Sequence, residues 1–329
     1  MSHPYTDELR VGLEAVRIAA RICQAVQATI TPDVLDKKDD SPVTIADFAS
    51  QAVICQAIGN SFGQDPIIAE EDSLALQQPQ NIKFLTQIQE LIRTHFQSAA
   101  TEEICQWIDR GGAKDYSRRF WTLDPIDGTK GFLRRDQFAV SLALIVEGQI
   151  ELGILACPNL GSRTSGGHSM FHAVRGHGAF AGSLDPETIW QPIRVTSSTS
   201  FAAARLCESL ESGHSSHSEA ETIAMRLGIE NPSVRMDSQA KYAVVASGEA
   251  DIYLRLPTKT GYFEKIWDHA GGVAIVEEAG GRVTDIAGSP LDFTQGFELR
   301  KNRGVIVTNG ALHDAVVDAV QSVVTKSSE

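Results

Sequence analysis

No stretch of this chain is apolar for long enough to cross a bilayer: the longest run, Phe138 to Val146, is interrupted by a serine and falls far short of the roughly twenty residues required. Basic residues are too few to balance the acidic ones. The resulting net charge of -13 speaks against nucleic acid and membrane surfaces as partners, because both are anionic. A small anionic ligand is compatible with that charge only where local cations or bound metal reverse the field. The cysteines, Cys23, Cys55, Cys105, Cys157 and Cys207, form no CxxC pair. That removes a zinc or dithiol motif and leaves free buried thiols suited to a reducing compartment. Nucleotide-cradling GxxxxGK[ST], metalloprotease HExxH and hydrolase GxSxG are all missing, as are repeats and low-complexity tracts. The polar opening, Met1 to Arg10, does not read as a signal peptide, so the expected location is cytoplasmic.

What is present is a globular composition. With 329 residues, 42% apolar and 22% charged, the chain can bury a large core, as two domains or one large α/β unit. Leu9, Leu13, Val16, Ala20 and Cys23 recur at helical steps, and Thr44 can cap a second helix through Ile54 and Ile58. Pro66 to Ala69 reads as a short buried strand, 74–82 as a loop, and Leu85 to Ile92 as a helix. From there the reading passes straight to a strand at Phe120 to Leu123. Two hairpins follow, turning at Glu147-Gly148-Gln149 and at the glycines of RGHG. Beyond a boundary near residue 195, strands at 204–207, 251–256, 282–286 and 304–308 alternate with helices near 217–227, 239–247, 268–279 and 311–323. The expectation is an α+β part, 1–195, followed by an α/β part, 196–329.

The chemistry-bearing residues are acids at the ends of elements. In WTLDPIDGTKGF a strand stops at Asp124, Pro125 stiffens the next step, and Gly128 lets the chain turn before Thr129. Such a turn can aim the carboxylates of Asp124 and Asp127 and the carbonyl of Ile126 at one point, a donor set that suits a hard cation such as Mg²⁺. Read alone, Asp-Pro and Asp-Gly are also ordinary turn dipeptides. Glu70-Glu71-Asp72 could equally be a solvated turn, Asp268 a plain acid at a helix start, and Asp47 part of a capping arrangement with Thr44. Four acidic clusters, each at an element end, are more economically one shared metal site. The spacing of three between Asp124 and Asp127 sets aside the phosphatases that carry an aspartyl nucleophile in DxDGT.

AEED at 69–72, LDPIDGTKGF at 123–132 and WDHAGG at 267–272 together resemble the inositol monophosphatase superfamily. Lys130-Gly131-Phe132, SPVTIADFASQ at 41–51, GHSSH at 213–217 and DSQAKYAVVASGEADIYLRLP at 237–257 are similar to its 3'(2'),5'-bisphosphate nucleotidase branch. The resemblance implies a layered α-β-α-β-α sandwich, lithium sensitivity and two or three Mg²⁺ ions. By it, Glu70, Asp124, Asp127, Asp268 and the carbonyl of Ile126 would hold metal, and Asp47 and Thr129 would stand near the attacking water. His214, Ser238, Lys241 and Arg255 would contact the nucleotide, joined by Thr129 and Asp268. His217 competes with His214 for its place, and Lys241 could be an ordinary exposed helix lysine. Arg255, inside an apolar run, calls for a phosphate or carboxylate partner. The implied reaction is hydrolysis of the 3'-phosphate of 3'-phosphoadenosine 5'-phosphate and of its 5'-phosphosulfate relative by a monomer or weak oligomer. An inositol polyphosphate 1-phosphatase, a fructose-1,6-bisphosphatase and a phosphonucleotide sensor without turnover are the rivals. With 7% aromatics, no residue stands out to stack on adenine.

Overall fold

The helical steps from Leu9 to Cys23 belong to α1, Thr6–Thr29, whose buried side carries Ala15, Val16, Ala19, Ala20 and Cys23. The computed structural model describes residues 3–30, 41–97, 99–161, 166–210, 217–258 and 261–324. Helix α2, Ser41–Ser61, begins three residues ahead of Thr44. Thr44 therefore lies inside the helix rather than at its N-cap; a proline at 42 suits a first turn, where its missing N–H costs nothing. Strand β1, Ile67–Ala69, follows. Helix α3 covers Ile82–Ile92. The next helix, α4 at Thr101–Asp109, lies where the sequence reading ran directly into a strand. Ile104, Cys105 and Ile108 bury it in a cluster with Ile45, Phe48, Ala52 and Val53 of α2.

Seven strands in sequence order make the first sheet: β1, β2 (Arg119–Asp127), β3 (Ala139–Val146), β4 (Gln149–Ala156), β5 (Met170–Val174), β6 (Ala179–Gly182) and β7 (Gln191–Ile193). β1 runs parallel to β2, and the later pairs are antiparallel. Glu147 and Gly148, with φ of 52° and 76°, form the two-residue hairpin turn between β3 and β4. A five-residue helix, α5 at Thr129–Leu133, leaves the end of β2. The second sheet contains β8 (Leu206–Glu208), β9 (Val234–Arg235), β10 (Ile252–Arg255), β11 (Arg282–Thr284) and β12 (Val305–Thr308), in the order β11-β12-β10-β8-β9. Helices α6 (His217–Leu227), α7 (Ala240–Ala246), α8 (Ala270–Glu278) and α9 (His313–Val324) accompany it.

Alternation along the strands decides the layers. Trp121, Leu123, Leu142 and Leu144 face α1 and α2, while Phe120, Ala143 and Ile145 face the opposite way onto α7 and α8. Those two helices share one core with Tyr253, Val305 and Val307 of the second sheet. Ile252, Leu254 and Ile306 point outward and pack under α6 and α9. The result is the expected α-β-α-β-α sandwich. All five cysteines are buried, and none is in a disulfide. No helix among the described residues is long and apolar enough to cross a membrane.

Candidate metal and phosphate site

In a regular strand two residues three apart face opposite sides, so Asp124 and Asp127 could not share a site. They do, because β2 carries an extra residue. Asp124 pairs with Ser141 and Asp127 with Ala139, so three steps on β2 match two on β3, and this bulge returns both carboxylates to one face. Ile126 keeps its side chain in the core with α1 and α2 yet borders the cavity, so its main chain is what the cavity sees. The Ser50 hydroxyl donates to the Pro125 carbonyl at 2.9 Å and holds the bulge from behind. Gly128, at φ 88°, then turns the chain so that the exposed Thr129 lines the same cavity.

Gly131 explains why a glycine follows Lys130. A Cβ there would meet the Gln137 carbonyl at 2.2 Å and the Asp237 carboxylate at 2.8 Å. The bare backbone lets the loop of Asp237 and Ser238 dock on α5, where Arg134 also pairs with Asp237. Gln239, which the sequence reading overlooked, ties the pieces together. Its backbone N–H donates to Asp127 and its side chain donates to the Trp267 carbonyl at 2.9 Å, while the Ser141 hydroxyl donates to its Oε1 at 3.1 Å.

The acidic run after β1 is held by Gln51 of α2, which donates to the Glu71 carbonyl at 2.6 Å and accepts from the Glu71 N–H at 3.1 Å. Glu70 is thereby turned into the cavity, where it is solvent-exposed although protein surrounds it on most sides. Asp268 arrives from a 3₁₀ turn, Ile266–Asp268, ahead of α8. Gly271 brings that helix close to the first sheet, since a Cβ would meet the Ser141 hydroxyl at 2.5 Å. Arg255 finds carboxylate partners, as its burial required: Nη2 lies 2.7 Å from Glu264 and 3.2 Å from Asp268. Glu264 had no place in the sequence reading, although it sits four residues before Asp268. Glu264, Asp268 and His269 have ligand atoms within 4.8 Å of one another. That group is already satisfied, by Arg255 and by the bond from His269 to Tyr242 at 2.7 Å. Among the described residues, Glu70, Asp124 and Asp127 do not close to that spacing.

A cavity of about 290 Å³ gathers Glu70, Asp124, Asp127 and Asp268 with Ser238, Lys241 and Arg255. Asp47 does not line it but is buried behind it; His214 lies outside the described residues. Lys241 is 3% exposed, so it is no ordinary surface lysine. Its ammonium donates to the carbonyls of Ser238 at 2.8 Å and Met236 at 3.2 Å, which shapes the loop where Ser238 stands at φ 68°.

The acids disfavour their own charges. Burial, then Asp268, Glu71 and Asp127, push the Glu70 carboxyl up to about 8. Burial raises Asp268 to about 6 despite Arg255 beside it. Asp124 is raised by burial and then by Glu70, Asp127, Asp268 and Asp47. Asp47 is raised by burial and then by Glu71 and Glu70. Glu264 is the contrast: burial pushes it up, but the His269 hydrogen bond and Arg255 outweigh that and hold it at about 2. Among the described residues, the buried Oδ1 atoms of Asp124 and Asp47 have no hydrogen-bond partner. Crowded carboxylates with an orphaned buried oxygen fit an oxygen-liganded hard cation, which removes both costs at once.

The inositol monophosphatase family model matches residues 6–325. The chain belongs to that family. It is 42% identical to 3'(2'),5'-bisphosphate nucleotidase 2 of Candida albicans over 98% of each chain. It is 42% identical to the 3'(2'),5'-bisphosphate nucleotidase of Oryza sativa over 99% of this chain and 97% of that one. Among solved structures, inositol monophosphatase from Anabaena sp. PCC 7120 superposes with a TM-score of 0.62 at 22% identity, covering 98% of each chain. Extragenic suppressor protein suhB from Bartonella henselae does so at 0.65 and 19%, covering 96% of this chain and all of that one. Those two share the fold.

Proposed function

We propose that this family member removes the 3'-phosphate of 3'-phosphoadenosine 5'-phosphate, giving AMP and phosphate, in a Mg²⁺-dependent reaction. One observation carries the reading: an acidic cavity with adjoining cations, in a chain 42% identical over 98% of its length to a protein named as a bisphosphate nucleotidase. Use of the 5'-phosphosulfate relative, inhibition by lithium, a cytoplasmic setting and a monomeric or weakly oligomeric state belong to the same reading. So does a division of the chain near residue 195, where the strands pass from one sheet to the other.

Glu70, Asp124, Asp127, Asp268 and the Ile126 carbonyl are the groups that would hold two or three ions. Bound Mg²⁺ would supply charge neutralisation at the phosphate and lower the pKa of the attacking water. The Thr129 hydroxyl orients that water, and Asp47, kept protonatable by its burial, serves as the reservoir behind it. Ser238 and His214 contact the nucleotide, Lys241 holds the Ser238 loop in its binding shape, and Arg255, paired with Glu264 and Asp268, aims Asp268. The scissile bond is between phosphorus and the ribose 3'-oxygen, which departs as the alcohol.

Phosphate release with Mg²⁺ is to be compared on 3'-phosphoadenosine 5'-phosphate, inositol 1,4-bisphosphate and fructose 1,6-bisphosphate. The adenosine substrate should show the highest kcat/KM. Preference for either of the other two would overturn the assignment.

A further inference from the structure

We infer that Arg303, which no motif pointed to, is the cation that grips the second anionic group of the substrate, the 5'-phosphate or phosphosulfate that is not hydrolysed. The inference rests on the nucleotidase reading above. It starts from charge matching at the cavity, where Lys130, Lys241, Arg255 and Arg303 are the lining cations among the described residues. Lys241 is buried and spends its donors on two backbone carbonyls. Arg255 is paired with Glu264 and Asp268. Lys130 has an interaction of its own. Arg303 is exposed, and among the described residues its guanidinium has no carboxylate partner.

A free surface arginine is usually a loose one, and this one is anchored. The neighbouring Asn302 is 7% exposed and uses both ends of its amide: Nδ2 donates to Asp285 at 3.0 Å and to the Pro290 carbonyl at 2.9 Å, and Oδ1 accepts from the Asp292 N–H at 2.8 Å. The Arg303 carbonyl accepts from the Ile286 N–H at 3.1 Å. The backbone is thus fixed on both sides of an unpaired guanidinium at the mouth of a cavity already rich in acids. Preorganisation of this kind lowers the entropy lost on binding, and a guanidinium matches the fork of a phosphate. A substrate with one phosphate over the carboxylates needs a cation for its other phosphate, and among the described residues Arg303 is the lining cation left to supply it.

The test compares wild-type protein, Arg303→Ala and Arg303→Lys on 3'-phosphoadenosine 5'-phosphate and on 3'-AMP, which lacks the second phosphate. The expected result is that the wild type prefers the bisphosphate. Arg303→Ala should reduce the ratio of the two kcat/KM values by tenfold to a hundredfold, on the order expected for a lost charged hydrogen bond. The loss should appear in KM for the bisphosphate rather than in kcat, with partial recovery in Arg303→Lys. A ratio that Arg303→Ala leaves as in the wild type overturns this inference alone. A wild type inert on the bisphosphate overturns the nucleotidase reading and this inference with it.

Discussion

Asp124 combines three properties that a structural acid avoids: it is 1% exposed, one of its oxygens has no hydrogen-bond partner among the described residues, and burial and four other acids raise its carboxyl. Asp124→Asn keeps the shape and removes the charge. Turnover should fall by several orders of magnitude, because a ligand to the proposed ions is lost. In the metal-free protein at pH 8, the same variant should melt higher than the wild type, as seen by calorimetry. A drop of several degrees would instead mark Asp124 as a structural carboxylate. At this scale the acids were legible, because the turn and strand-end chemistry around them is written in neighbouring residues. Glu264 and Gln239 were not: their importance comes from partners 9 and 112 positions away, Arg255 and Asp127.

At the scale of elements, each part of the site is delivered by a helix or strand that something else holds. Gln51 is fully buried in α2 and clamps both the N–H and the carbonyl of Glu71, while also donating to the Ile108 carbonyl at 3.0 Å. Gln51→Ala should cost about 1–3 kcal/mol of stability, since it strands buried backbone groups. The Mg²⁺ concentration for half-maximal activity should also rise several-fold, because Glu70 is the next residue. An unchanged Mg²⁺ titration would show that the clamp serves the fold alone. Helix α4 shows where element reading fell short: Ile104 and Ile108 had the right spacing, yet the segment is short and its amphipathic signal makes sense only with α2 above it. Strand β7, three residues including Pro192 at the end of the sheet, carried no signal of its own.

For the whole molecule, the cavity is a store of unfavourable charge. Glu70 moves from 4.5 up to about 8, and Asp268 from 3.8 up to about 6. The folded metal-free protein therefore holds these protons more tightly than the unfolded chain. Their contribution to stability is full below about pH 4 and is lost as pH rises through about 6 to 8. Glu264 and Asp292, lowered to about 2, act with the opposite sign but only in stronger acid. Cations bind the deprotonated carboxylates, so added Mg²⁺ should raise Tm by more at pH 8 than at pH 5. Equal gains at both pH values, measured by differential scanning fluorimetry, would contradict a site built from these acids.

The sequence by itself determined most of the helices and strands and the acids at their ends, while the layering entered only through the family resemblance. Helical and strand periodicity, turn glycines and the order of the acidic motifs are local properties, and each survives reading one segment at a time. Tertiary structure decided which of those acids share a face and which cations remain free. The β2 bulge exists only in register with β3, Lys241 is buried only once the 236–238 loop folds over it, and Arg255 is neutralised only when Glu264 and Asp268 close around it. Charge balance at a site is a sum over residues distant in sequence, so Arg303 acquires its meaning from the pairing of the others.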